Sequence, residues 1–134
     1  MTHRALPGVP LVSPERILPV YHVLIIEDEP LIAMDLQQVL EDEGITSFAF
    51  ARSEEQAVAA AMAMRPDMIT SDVTLVHGTG PHAVRVIHDR LGDIPVIFVT
   101  ATPESCEPCD PPGVVLCKPI DPDALARALH RLRA

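Results

Sequence analysis

Residues 21–40 read YHVLIIEDEPLIAMDLQQVL, and this one stretch holds both halves of a repeating unit. An apolar, β-branched run ends abruptly in Glu27-Asp28-Glu29. Pro30 then opens a segment whose Ile32, Leu36, Val39 and Leu40 fall on one side of a helix. Proline is tolerated there because the N–H it lacks would have no intrahelical partner. Gly44 supplies the stop.

The unit recurs. Further apolar runs begin near Ile45 (ITSFAF), Met68 (MIT), Ile94 (IPVIFVT) and Val114 (VVLC). Helical stretches with their own start signals lie between most of them. Ser53 with Gln56 forms a capping-box pattern ahead of an alanine- and methionine-rich helix ending near Pro66. Met62, Met64 and Met68 read as core filling. Gly80-Pro81 opens a third helix running to about Arg90, and Asp121-Pro122 opens a last one with Leu125, Leu129 and Leu132 on one side. Strands alternating with helices at this spacing predict βαβ units, hence a five-stranded parallel sheet covered on both faces in a doubly wound α/β domain. VLII and VIFV are continuously apolar, as central parallel strands are. One segment breaks the rhythm: TATPESCEPCDPPG, between Val99 and Val114, carries four prolines, so the fourth helix is expected to be shortened or missing.

Composition narrows the function. The chain has 134 residues, 48% hydrophobic but only 3% aromatic, enough for one aliphatic core. Nineteen acidic against ten basic residues give a net charge of -9, which opposes nucleic-acid and anionic-membrane binding. No apolar run approaches the roughly 20 residues of a membrane span. Pro7, Pro10, Pro14 and Pro19 interrupt residues 1–19 where a signal peptide needs an unbroken run. Those residues are expected to form a flexible leader ahead of one domain over 20–134, and the cytoplasm is the expected location. Three cysteines make no disulfide framework. Cys106-Glu-Pro-Cys109 could be a redox pair or half a zinc site with Cys117, but no helix start or second ligand pair supports either. His77 and His82, near the loop after Asp72, read as surface residues that could flank a site there.

In an open parallel sheet, chemistry collects at the carboxyl ends of the strands. Those ends carry Glu27-Asp28-Glu29, Asp72, Thr100 and Lys118, the only lysine in the chain. Converging carboxylates repel one another unless a cation neutralises them, and hard oxygen ligands suit Mg²⁺ or Mn²⁺. A lysine at the same rim suits a compact anion, and a hydroxyl can donate to it. Together these describe a phosphoryl-transfer site in which an aspartate carboxylate can be the nucleophile. Glu27-Asp28-Glu29 alone could be a helix N-terminus favoured by the macrodipole; Asp72 and Lys118 at neighbouring strand ends weigh against that.

The stretches VLIIEDEPLIAMDL, SDVTL followed by GTGPHAV, PVIFVTA and CKPID, in this order, resemble the response-regulator receiver domain of two-component signalling. The likeness spans residues 22–133, and its wording is similar to stand-alone alphaproteobacterial receivers. It implies a flavodoxin-like strand order 2-1-3-4-5. It also implies Glu27 and Asp28 as the acidic pair for the metal, Asp72 as phosphoacceptor and metal ligand, and Thr74 as donor of a backbone carbonyl to the metal. Thr100 takes the place of the switch hydroxyl and Lys118 of the phosphate-binding lysine, with a cis Lys118–Pro119 bond. The implied partners are a histidine kinase or phosphotransfer protein and an unknown downstream protein, met by a monomer or weak dimer with no output domain in the chain. Val115 departs from the family, standing where an aromatic is usual, so an aromatic toggle coupled to Thr100 cannot operate in its usual form. Glu27 is one methylene longer than the usual aspartate. Two other readings stay open: a degenerate receiver that binds partners without phosphorylation, and a small metal-dependent phosphatase or phosphotransferase. The latter lacks a D-x-D nucleophile motif, because Thr74 stands at its second position.

Overall fold

A computed structural model of the protein describes residues 20–102 and 113–133. Five strands, β1 (His22–Ile26), β2 (Ser47–Ala51), β3 (Met68–Ser71), β4 (Val96–Thr100) and β5 (Val114–Cys117), form one parallel sheet in the order β2-β1-β3-β4-β5. This is the expected doubly wound order. The described helices are α1 (Pro30–Asp42), α2 (Glu54–Ala63), α3 (Gly80–Leu91) and α4 (Pro122–Arg133). The expected leader, the Cys106–Cys109 pair and the shortened or missing helix between β4 and β5 lie outside the described residues.

Alternation along the buried central strands divides the core into two layers. Leu24, Ile26, Ile69, Val96 and Phe98 meet Ala57, Ala61, Ala83, Val84 and Ile87 of α2 and α3. On the other face Val23, Ile25, Met68, Ile97 and Val99 meet Leu36 and Leu40 of α1 and Leu125 and Leu129 of α4. Ile45 and Ile94 are buried just before their strands begin, so the apolar runs start earlier than the ladders they lead into.

Local signals set the helix ends. Pro30 opens α1, and Gly44, at φ +94°, closes it with bonds from Gly44 N–H to Glu41 O (2.9 Å) and Ile45 N–H to Leu40 O (3.1 Å). Ser53 Oγ accepts from Gln56 N–H at 3.1 Å, while Gln56 Oε1 accepts from Arg52 N–H at 2.9 Å, one residue earlier than in an ideal capping box. Ser53→Ala should therefore cost about 1 kcal/mol, read as a lower urea midpoint at unchanged slope. The methionine reading needs correction. Met68 is fully buried, but Met62 and Met64 are 39% and 55% exposed. Helix α2 packs through Ala57 and Ala61, whose small side chains bring it close to α3 and leave the longer side chains outside. Val115 is half-buried against the α2–α3 layer.

Candidate functional site

Parallel register brings the predicted polar residues to one edge. Ile26 pairs with Ser71, and Asp72 N–H donates to Ile26 O at 2.9 Å, so Glu27 and Asp72 leave neighbouring central strands side by side. Thr100 ends β4 opposite Cys117 of β5, and Lys118 N–H donates to Thr100 O at 2.8 Å. The Lys118–Pro119 bond is cis.

From there the side chains converge. Lys118 Nζ donates to Asp72 Oδ2 at 3.0 Å and lies 3.1 Å from Glu27 Oε1 as an ion pair. The second Asp72 oxygen, Oδ1, accepts from Val73 N–H at 2.7 Å, and Ser71 Oγ donates to the Asp72 carbonyl at 2.8 Å. Glu27 is turned inward and buried; its Oε2 accepts from Glu29 N–H at 3.1 Å, while Oε1 is sealed from solvent with the Lys118 ammonium as its partner. Asp28 Oδ2 accepts from Val76 N–H at 2.7 Å. Carboxylate oxygens of Glu27, Asp28 and Asp72 all lie within 4.8 Å of one another. Thr100 is buried, its Oγ1 accepting from Thr102 N–H at 3.1 Å. Asp28, Asp72, Thr74, Thr100 and Lys118 line one cleft of about 420 Å³ with Leu75 and Val76.

One ammonium cannot balance three carboxylates at this spacing. Burial pushes the Glu27 carboxyl up to about 7, from 4.5 for the free side chain; the Glu29 N–H opposes this and the Asp72 charge adds to it. Burial alone would lower the Lys118 ammonium, but its bonds to Asp72 and Glu27 outweigh that and raise it. Three converging carboxylates with one ammonium among them leave an excess of hard oxygen donors, which fits a divalent cation.

A matching family model carries the description "Response regulator receiver domain" and covers residues 23–130. The chain belongs to the response regulator receiver family. It is 38% identical over 105 residues to the phyllosphere-induced regulator PhyR of Methylorubrum extorquens, covering 75% of this chain and 39% of that protein. The receiver domain of Erythrobacter litoralis PhyR superposes with a TM-score of 0.76 at 32% identity, covering 84% of this chain and 89% of that one. The anti-anti-sigma factor PhyR of Bartonella quintana gives 0.71 at 36%, covering 87% and 48%. The receiver thus spans about two fifths of the Methylorubrum protein. Among its described residues no helix is long and apolar enough to cross a membrane.

Sequence reasoning missed several residues that build the receiver's site. Nothing about Val76 as a residue type announces that its N–H holds Asp28. Gly78-Thr79-Gly80 sets where α3 begins against the end of β3. Thr79 Oγ1 caps α3 by accepting from His82 N–H at 3.2 Å. Gly80 sits so close to the Asp72 carbonyl that a Cβ there would lie 1.8 Å from it. His82 is exposed and engages Glu54 at the start of α2, away from the carboxylates. His77 is also exposed and lines a neighbouring pocket with Asp28 and Arg52.

The raised Glu27 value gives a pH dependence. An acid held above its free value stabilises the fold fully below pH 4.5, and that contribution is lost as pH rises to about 7. In chelator-treated protein, the urea stability of the wild type minus that of Glu27→Gln should fall across this window and level off above it. A pH-independent difference would contradict the inward, desolvated placement of Glu27.

Proposed function

We propose that this receiver accepts a phosphoryl group on Asp72 from a histidine kinase or histidine phosphotransfer protein, and signals through the altered contacts of the phosphorylated domain. The observation that carries the reading is the Asp72 carboxylate. One oxygen is fixed by Val73 N–H and the other by Lys118, beside two further carboxylates, in a cleft open to solvent. An Asp72 oxygen attacks phosphorus, the bond from phosphorus to the donor nitrogen breaks, and its electron pair leaves on the imidazole, whose other nitrogen carries a proton so that the ring departs neutral. Positioning and charge neutralisation supply most of the acceleration. Glu27, Asp28, Asp72 and the Thr74 carbonyl would hold Mg²⁺ (Mn²⁺ has the same ligand preference), and the bound ion supplies positive charge for the phosphoryl oxygens. Lys118, already on Asp72, meets another of those oxygens as a point charge. Thr100 offers its hydroxyl proton to a third once its own oxygen is held by Thr102 N–H. The receiver is a stoichiometric phosphoacceptor, not a turnover enzyme.

The Bartonella relative is named an anti-anti-sigma factor, but this chain covers 48% of it. The geometry around Asp72 supports the phosphoryl switch in this chain. The reading is tested by incubating the protein with Mg²⁺ and phosphoramidate and recording intact mass. One added phosphoryl group, labile to hydroxylamine as an acyl phosphate is, supports it. Turnover without a stable adduct favours a phosphatase, and no adduct favours a degenerate receiver.

A further inference from the structure

Asp28 stands at a boundary. It lines the cleft that holds Asp72 and Lys118, and it also lines a second pocket of about 310 Å³ with Arg52 and His77. Val76 lines both as well. The bond from Val76 N–H to Asp28 Oδ2, at 2.7 Å, is therefore the partition between the two hollows. On its other side, the Asp28 carbonyl accepts from Arg52 Nη2 at 3.4 Å. Glu27 and Asp72 each take a backbone N–H from one or two residues along the chain. The N–H that holds the Asp28 carboxylate comes from 48 residues away. Its position depends on tertiary structure.

The loop that supplies this donor is braced at several points. Thr74 and Thr79 form an antiparallel bridge, flanked by bonds from Gly80 N–H to Val73 O (2.9 Å) and from Leu75 N–H to Gly78 O (3.3 Å). Leu75 is buried in the α2–α3 layer, which leaves Val76 and His77 as a two-residue tip. The tip is tied to α2, because Glu54 N–H donates to His77 O at 3.1 Å. Gly78, at φ +87°, rests against the same residue, and a Cβ there would stand 2.6 Å from Glu54 Cβ. Glu54 in turn pairs with His82 of α3. Val76 itself is 72% exposed, so its place is set by these backbone bonds and not by burial of its side chain.

Taking Asp28 as a metal ligand, as in the function proposed above, we propose that loop 74–79 is its positioning element. Braced on Glu54, the loop keeps Val76 N–H on one carboxylate oxygen of Asp28 and so turns the other toward the ion. A carboxylate held this way does not swing aside before the ion arrives, and such partners are typically worth about ten- to hundredfold in metal affinity. The same loop carries the Thr74 carbonyl, so one element sets two ligands.

The Mg²⁺ affinity of the unphosphorylated full chain, read from backbone amide shifts during a metal titration, provides the test. Val76→Pro removes the N–H at the first residue of the tip, a turn position that suits proline. It should raise the Kd for Mg²⁺ at least about tenfold. Gly78→Ala forces the tip off Glu54 and should raise the Kd in the same direction, with the amide spectrum of a folded chain. His77→Ala changes the neighbouring side chain, keeps the backbone bonds and should leave the Kd unchanged. In the wild type the Val76 amide should exchange at least about tenfold more slowly than an open loop allows, and Asp28→Ala should remove that protection. Saturating Mg²⁺ should return the phosphoramidate rate of Val76→Pro to the wild-type value, which general damage to the fold would not permit. A wild-type Kd in Val76→Pro, or an unprotected Val76 amide, overturns the positioning role and leaves the phosphoacceptor reading standing. A wild type that binds no Mg²⁺ overturns the metal reading and this role with it.

Discussion

Asp72→Asn is expected to abolish the phosphoryl adduct formed with Mg²⁺ and phosphoramidate while leaving the fold intact. Asparagine keeps the shape and one carbonyl oxygen, so the Val73 N–H retains an acceptor at the position of Oδ1, now 2.7 Å away. What is lost is the anionic oxygen that attacks phosphorus, and no neighbour replaces it. Glu27 is inward-facing and ion-paired to Lys118, and Asp28 is held by Val76 N–H. Removing one of three close carboxylates also relieves repulsion, so the variant's stability should be no lower than the wild type's at neutral pH. The amide nitrogen then takes the place of Oδ2 and faces the Lys118 ammonium donor to donor, so Lys118 gives up that bond and keeps Glu27 Oε1, 3.1 Å away, as its partner. The expected outcome is complete loss of the mass increment at an unchanged circular dichroism spectrum. A residual increment on Asp72→Asn would move the acceptor to another side chain.

The second large effect is expected from Gly80→Ala. A Cβ at Gly80 would stand 1.8 Å from the Asp72 carbonyl oxygen and 2.2 Å from Ser71 Oγ. The obstructing atoms are mainly backbone of the strand that presents the acceptor, and Gly80 N–H is itself tied to Val73 O at 2.9 Å. Helix α3 must therefore retreat or the end of β3 must shift, at roughly 1–3 kcal/mol or more. Asp72 moves with either adjustment, so the rate of phosphorylation by phosphoramidate should fall along with the urea midpoint. Gly44→Ala is the control. Nothing lies within 4 Å of its Cβ, and only the positive φ is strained, so it should cost on the order of 1 kcal/mol without affecting the rate. Equal effects of the two variants would contradict the close packing of α3 on the acceptor strand.

The architecture was largely legible because each buried strand is an apolar run that gives way to polar residues at the sheet edge. Ile26 to Glu27 and Cys117 to Lys118 mark such crossings, while β3 turns polar at Thr70 and Ser71, just before Asp72. The same crossings reveal the candidate residues, since parallel strands end side by side. The methionines of α2 were not legible. Met62 and Met64 have the composition of a core but sit at the end of a helix whose alanines set its depth, and only the packing partner decides which face is buried. The bond from Val76 N–H to Asp28 is invisible in sequence because a backbone donor carries no residue signature. Gly80 could be read as a helix start, and was; its contact with Asp72 depends on how close α3 comes to β3, which spacing alone does not encode.

Treating the phosphorylated protein with borohydride, which reduces an acyl phosphate to an alcohol, and sequencing its peptides by mass spectrometry tests the assignment most directly. The acceptor reading predicts homoserine at position 72 and at no other acidic residue. Conversion at Glu27 or Asp28 instead, or an adduct that borohydride does not reduce, would contradict it.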